Sequence, residues 1–312
     1  MKEIDYSIII PVYYNEGSIE KTFNILKEKV ISKNKELNCE LIFIDDGSKD
    51  NSFNEISALK EKYPDLIKVI KFTRNFGQVS AIYAGYQYAK GKCVINISAD
   101  LQDPPELINE MINYHFRDGY EIVICSRESR EERYFKRKTS NIFYKLIKKL
   151  SFPNMPSGGF DFVLISDKVK NILLQKKESN PFWQGQILWT GHRTKFIPYK
   201  RLEREIGKSR WTFSKKIKYL IDAVTSYSYF PLRLMSVVGS LIALVGFLYA
   251  IFIILARIFG NVVPYGWAPI MVVILLLSGV QMLMIGIVGE YLWRVLDQVR
   301  NRQPYIIERI LD

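Results

Sequence analysis

The chain has little cysteine and less histidine. Cys39, Cys93 and Cys125 are odd in number and widely separated, which excludes a disulfide framework, and two histidines, His115 and His192, offer no spaced metal cluster. The expectation is buried thiols in a reducing compartment and no zinc site. A long apolar run is also missing from the start. MKEIDYSIIIPVYYN carries a short Ile-rich stretch broken by Pro11, which reads as a strand and not as a secretory leader. Most of the chain is therefore expected to stay in the compartment where it is made.

What the first half lacks, the last third holds. Residues 234–256 and 268–289 contain no Asp, Glu, Lys or Arg over 23 and 22 positions, and each run is long enough to cross a bilayer as a helix. The 312 residues thus divide into one globular unit and an apolar appendage. The net charge of +12 is concentrated: residues 127–149 and 200–233 each carry nine Lys/Arg against three acids. Such clusters point to phosphate-bearing partners or an anionic membrane surface. No nucleic-acid motif accompanies them, so nucleic acid is not an expected partner. The flanks of the two runs are rich in Lys and Arg, whereas residues 257–267 between them hold one charge, which predicts both termini and the globular unit in the cytoplasm.

Short apolar runs alternate with helix-like stretches through the first half. Residues 6–11, 41–44, 67–72, 93–97 and 122–125 read as strands buried on both faces; residues 18–35, 52–62, 79–89 and 105–116 read as helices. The fold class expected from this alternation is α/β with a mostly parallel sheet. Residues 213–231, with Ile217, Leu220, Ile221 and Val224 at helical spacing beside lysines, read either as an interfacial helix or as a packed surface helix. The domain reading is a globular unit over 1–212, that amphipathic segment, two spans within 232–293 and a tail over 294–312.

Ligands of such sheets bind at the carboxyl ends of the strands, and polar residues fall there: Asn15 and Glu16, Asp45 and Asp46, Arg74 and Asn75, Asp100 and Gln102. In IIIPVYYNEG, Pro11 fixes the chain as it leaves the sheet, Tyr13 offers a ring to a base, and Glu16 can accept hydrogen bonds from base or ribose. In IFIDDGSKDNS, adjacent carboxylates after a buried strand repel unless they meet donors or a cation. The alternative there is structural: Gly47 and Ser48 make a turn, and Asp50 caps the next helix. In NISADLQDPPE, Asp103 before Pro104 reads as a helix cap, while Asp100 and Gln102 are oxygen ligands able to hold Mg or Mn with the phosphates of a donor.

The segments PVYYNE, DDGSKDNS, RNFGQVSAIYAG and ADLQDPPE, in this order and spacing, resemble glycosyltransferase family 2. With the two late apolar runs, the chain is similar to the subgroup of dolichol-phosphate mannose synthase and bacterial polyprenyl-phosphate glycosyltransferases over nearly its whole length. The resemblance implies the GT-A fold and inverting transfer of a hexose from a nucleotide-sugar, UDP favoured over GDP, to polyprenyl phosphate at the inner (plasma) membrane, for cell-envelope glycans. It implies association of copies through the spans. It assigns Pro11, Tyr13, Glu16, Asp45, Asp46, Gly77, Gln78 and Asp100 to the nucleotide site, and Asp100 and Gln102 to a Mg or Mn ion. Ser98 departs from the pattern, standing where the family's first aspartate is expected, which keeps a metal-weak or non-catalytic member as the rival reading. Arg127, Lys136, Arg137 and Ser140 match acceptor-phosphate residues, with Arg137 the better phosphate fork. Asp161 matches an acidic residue that orients the acceptor, and Arg201, Arg204 and Lys208 match a mobile loop over the donor diphosphate. Sugar selectivity is expected around Trp183, Gln184 and Trp189. A further enzymatic alternative is a synthase that extends a polysaccharide or glycosylates another lipid directly to make a glycolipid; it is the weaker one, since the Gln-x-x-Arg-Trp motif of processive synthases is absent and two spans are too few to enclose a polymer channel.

Overall fold

The computed structural model describes residues 3–127, 154–156, 159–175, 178, 182–200, 230–259 and 266–312. It falls into two units, residues 1–223 with 302–312, and residues 224–301.

In the first unit, strands and helices alternate as β1 (Tyr6–Val12), α1 (Ile19–Lys29), β2 (Cys39–Asp45), α2 (Ser52–Lys62), β3 (Ile67–Phe72), α3 (Gln78–Tyr88), β4 (Cys93–Asn96), α4 (Leu107–Phe116) and β5 (Ile122–Arg127). Then come β6 (Phe162–Ser166), α5 (Asp167–Gln175), α6 (Trp183–Trp189) and β7 (Thr194–Tyr199). After the second unit the chain adds β8 (Ile307–Leu311). All eight strands join one sheet in the order β7-β5-β6-β4-β1-β2-β3-β8. Strands β1 to β4 are mutually parallel and β5 is parallel to β7, while β6 and β8 run against their neighbours.

The centre of this sheet is apolar on both faces because helices cover both. Ile8, Ile9 and Ile10 of β1 and Leu41 to Ile44 of β2 are fully buried, each side chain contributing up to about 1.5–3 kcal/mol. Phe23 and Leu26 of α1 and Ile56 of α2 pack into the main core. α1 ends sooner than its periodicity predicts: after Lys29 the chain tightens into a 3₁₀ turn at Ile31–Lys33, where the Asn34 side chain donates to Val30 O and stops the helix.

Residues after 293 carry more structure than a tail. The second unit is a pair of long helices, α7 (Phe230–Ile258) and α8 (Trp267–Arg300), and α8 stops where Asn301 takes a left-handed conformation. Both are long and apolar enough to cross a membrane. Among the described residues many of their apolar side chains are exposed; Phe247 and Leu283 are 64% and 71% exposed.

Candidate active site

Parallel pairing brings the ends of β1, β2 and β4 to one rim. Val12 is level with Asp45, and Ile9 is level with Asn96, so the loops after β2 and β4 flank the loop after β1. Two strand spacings, about 10 Å, separate the outer pair where they leave the sheet. Tyr14 and Leu101 have left-handed backbones, with φ of 54° and 55°. For residues of this size such conformations cost of order 1–3 kcal/mol and persist where the surroundings enforce them.

The loop after β2 is built around Asp46. This buried carboxylate accepts from Phe76 N at 2.7 Å and from Gly77 N and Asn75 Nδ2 at 2.9 and 2.7 Å. Gly47 permits the approach: a Cβ there would lie 2.4 Å from the Arg74 carbonyl carbon, and its φ is +68°. Burial pushes the Asp46 carboxyl up to about 6 against these hydrogen bonds, with Asp45 adding to the rise and Arg74 opposing it. Burial also raises Asp45, whose Oδ1 accepts from Ser48 N. The β1 loop is laced to this one. Tyr14 N donates to Ser48 Oγ, Asn15 N to Ser52 Oγ, and Asn51 N to Glu16 Oε2. Glu16 thus braces the rim in the absence of ligand. Asp50 accepts from Ser52 N, but the cap position of α2 falls to Asn51, one residue later than the sequence reading put it.

In the loop after β4, Ser98 Oγ lies 2.7 Å from Asp100 Oδ1 and 2.8 Å from Asp103 Oδ2. A hydroxyl has one proton, so it donates to one carboxylate at a time. Asp103 is not the α4 cap that the Asp-Pro signal predicts. Glu106 occupies that position, and Asp103 is buried, accepting from Tyr199 Oη of β7 at 2.5 Å. The reason is depth: the two prolines carry the chain outward before the helix starts, leaving Asp103 facing β7. Ala99 O accepts from Ser18 Oγ and Thr22 Oγ1, which ties the loop to the start of α1.

Arg127 at the end of β5 donates to Asp161 Oδ2 at 2.5 Å. The antiparallel register that sets Cys125 against Phe162 makes them neighbours. Burial disfavours the Arg127 cation, but Asp161, Tyr199 and Asp103 outweigh it and hold its proton more firmly than usual. Gln184 of α6 reaches the same place, donating to Phe160 O and lying 3.5 Å from Asp161 Oδ1. Trp183 and Gln184 are buried, whereas Trp189 is 55% exposed.

Comparison with known proteins decides what this rim belongs to. The model described as Glycosyl transferase family 2 matches residues 7–173, and the one described as GtrB C-terminal hairpin matches residues 230–295. The chain belongs to glycosyltransferase family 2. It is 39% identical to the glycosyltransferase YkcC of Bacillus subtilis (strain 168), over 99% of this chain and 94% of that one. It is 38% identical to a prophage bactoprenol glucosyl transferase homolog of Escherichia coli (strain K12), over 97% and 98%. Among solved structures, glucosyl-3-phosphoglycerate synthase of Mycobacterium tuberculosis, in complex with Mn2+, uridine-diphosphate and phosphoglyceric acid, aligns with a TM-score of 0.51 at 15% identity, over 71% of this chain and 76% of that one. That likeness is one of fold, the GT-A fold.

In this glycosyltransferase the loop after β4 carries the oxygens of Asp100 and of the buried Gln102, of the kind a hard divalent cation takes with phosphates and water, and among the described residues no group of three or more His, Cys, Asp or Glu is placed to hold a metal ion. Gly77 caps α3 with φ +102°, and Gln78, its first residue, is exposed on the rim. Pro11 pairs opposite Ile44 at the end of β1, and the Tyr13 ring meets Tyr14 edge-on at 4.7 Å. Lys136, Arg137, Ser140, Arg201, Arg204, Lys208 and the segment 213–229 lie outside the described residues. Sequence reasoning missed Asp103 and Tyr199 as partners of Ser98 and Arg127. A buried tyrosine from a distant strand leaves no local signal.

Proposed function

We propose that this glycosyltransferase transfers a hexose from a nucleotide-sugar, a UDP-sugar in the first instance, to polyprenyl phosphate at a membrane. One observation carries the reading: the likeness to a relative named for bactoprenol glucosyl transfer runs through both the donor rim and the apolar helix pair. The positive-inside bias supports a cytoplasmic rim with both helices spanning the inner membrane. The uncovered apolar side chains call for lipid or for further copies of the chain.

The reaction is a displacement at the anomeric carbon. A phosphate oxygen of the acceptor forms the new bond to that carbon, the bond to the donor diphosphate breaks with its electron pair, and a nucleoside diphosphate leaves. A phosphate monoester has its second pKa near about 6, so the attacking oxygen is already ionised near neutrality and needs no strong base. The protein's task is alignment and charge. Tyr13, Glu16 and Asp46 take the nucleoside. Arg127, held against Asp161, exchanges that carboxylate for the acceptor phosphate, with Asp161 orienting it, and the family resemblance gives Arg137 and Ser140 to the same phosphate and Arg201, Arg204 and Lys208 to the donor diphosphate. A Mg or Mn ion at Asp100 and Gln102 would supply positive charge to the leaving diphosphate.

The test is a panel of labelled nucleotide-sugars incubated with the purified protein and undecaprenyl phosphate, followed by extraction of the lipid. One sugar should enter the lipid fraction with the wild type and none with Asp100→Asn, which should fold and insert normally. Full transfer by that variant would overturn the assignment of Asp100. Nucleotide-sugar binding without transfer to lipid would favour a non-catalytic member, the reading that Ser98 motivates.

A further inference from the structure

β8 does more than close the sheet edge. It pairs with β3 up to a register shift at Lys71/Phe72, and beyond it Thr73 N donates to Ile306 O at 3.1 Å. Just before β8, the Tyr305 ring stacks on Phe72 at 5.0 Å and 8°, and its hydroxyl donates to Gln87 Oε1 of α3 at 2.5 Å. Phe72 in turn meets Phe76 edge-on at 5.8 Å. Phe76 and Gly77 are the residues whose backbone N–H groups hold Asp46. Tyr305, Phe72 and Phe76 therefore form one aromatic file ending on the amides of the Asp46 cage. Two ion pairs, Lys68 with Asp312 at 2.8 Å and Lys71 with Glu308 at 3.0 Å, fix β8 in register beside it.

We infer that Tyr305 is a positioning residue for the donor site: by stacking on Phe72 it sets the turn over residues 73–77 and so the orientation of Asp46 toward the nucleotide. The inference rests on Asp46 facing the donor. A ring stack of this kind is worth about 0.5–1.5 kcal/mol beyond burial, and the turn it restrains has Arg74 and Asn75 exposed on its outer side. Loss of the ring leaves Phe72 with only its edge contact to Phe76 to steady the turn from that side. The consequence falls on donor affinity, because the acceptor residues Arg127 and Asp161 stand on β5 and before β6, at the far side of β4 and β1.

The experiment uses the full chain in detergent micelles, with UDP and GDP as probes in titration calorimetry. The sugar donor that gives product supplies kinetics. Tyr305→Ala should weaken binding of the preferred diphosphate and raise the donor KM together, by about 10-fold, while kcat and the acceptor KM stay within about twofold. Tyr305→Phe, which keeps the ring, should restore both. Since the Phe76 and Gly77 amides favour the ionised carboxylate, with Asp45 and Arg74 the charges beside it, the pH midpoint of diphosphate binding should move upward in Tyr305→Ala. Tyr305→Leu preserves bulk without stacking and takes the place of the alanine variant if that one does not fold. Diphosphate affinity within twofold of wild type, or a loss shared equally by donor, acceptor and kcat, would overturn the role of Tyr305. Failure of the wild type to bind either diphosphate would overturn the donor-site reading itself.

Discussion

Replacing Asp46 by asparagine should flatten the pH dependence of the unliganded protein's stability while removing its affinity for the donor. Asp46 is almost wholly buried, and its carboxyl is lifted from an ordinary 3.8 to about 6. A group with a raised folded pKa contributes stability that is fully present below the unfolded value and lost as pH rises through the folded one. Between about pH 4 and pH 6 the domain should therefore lose up to about 3 kcal/mol, from a gap of roughly two pH units at about 1.4 kcal/mol each. Asparagine is close in shape to the acid and has no charge to bury, but its Nδ2 must face a donor, because Phe76 N points at one oxygen and Gly77 N and Asn75 Nδ2 at the other, at about 1–3 kcal/mol. The two effects largely offset, so at pH 7.5 Asp46→Asn should unfold within about 2 kcal/mol of wild type, some 4–8 °C for a domain of this size, and its stability should be flat across that interval. The assay is thermal unfolding of the full chain in detergent at a series of pH values, paired with diphosphate titration. A variant whose stability fell between about pH 4 and pH 6 as steeply as that of wild type would show that Asp46 is not the titrating group, and the reasoning would be wrong.

Three further experiments probe the rest of the rim. Ser98→Asp sets a third carboxylate against Asp100 and Asp103, at about 2–4 kcal/mol of repulsion for an effective dielectric near 20; its unfolding midpoint should fall in EDTA and recover with Mn2+, and equal midpoints in both would refute a cation site there. Arg127→Gln and Asp161→Asn, combined in a double-mutant cycle on kcat/KM, should couple by about 1–3 kcal/mol, whereas strict additivity would mean the pair is incidental. Gly47→Ala should destabilise by about 2–4 kcal/mol through its clash with the Arg74 backbone and its left-handed φ, read by the same thermal scan, and a neutral result would contradict the tight packing of that turn.

Much of the central sheet was legible because its strands are local in sequence. The runs at 6–11 and 67–72 are mostly apolar and buried, with Ser7 and Lys68 the buried polar exceptions, and parallel topology alone then collects the following loops at one rim, so Asp46 and Asp100 could be assigned to that rim from strand ends. What stayed hidden is non-local. The strands read from the sequence end at residue 125, yet Phe162–Ser166 is a strand inserted antiparallel between β4 and β5. No periodicity shows which strand a short run will pair with. Asp103 misled for the opposite reason: its local signal for a cap was sound, but Tyr199 and Ser98, contributed by other parts of the chain, offer a buried carboxylate better partners than the helix does.

The position of β8 in the chain also orders events during synthesis. β3 emerges early, and a flat strand with an open edge invites pairing with the wrong partner. Its own cover is translated only after the whole apolar hairpin, so the last seam of the sheet is sewn when the hydrophobic segments have already been made. A polypeptide interrupted or stalled within the hairpin would carry a bare β3, marking it for aggregation or proteolysis, and the finished molecule thereby distinguishes itself from every shorter version of the same chain.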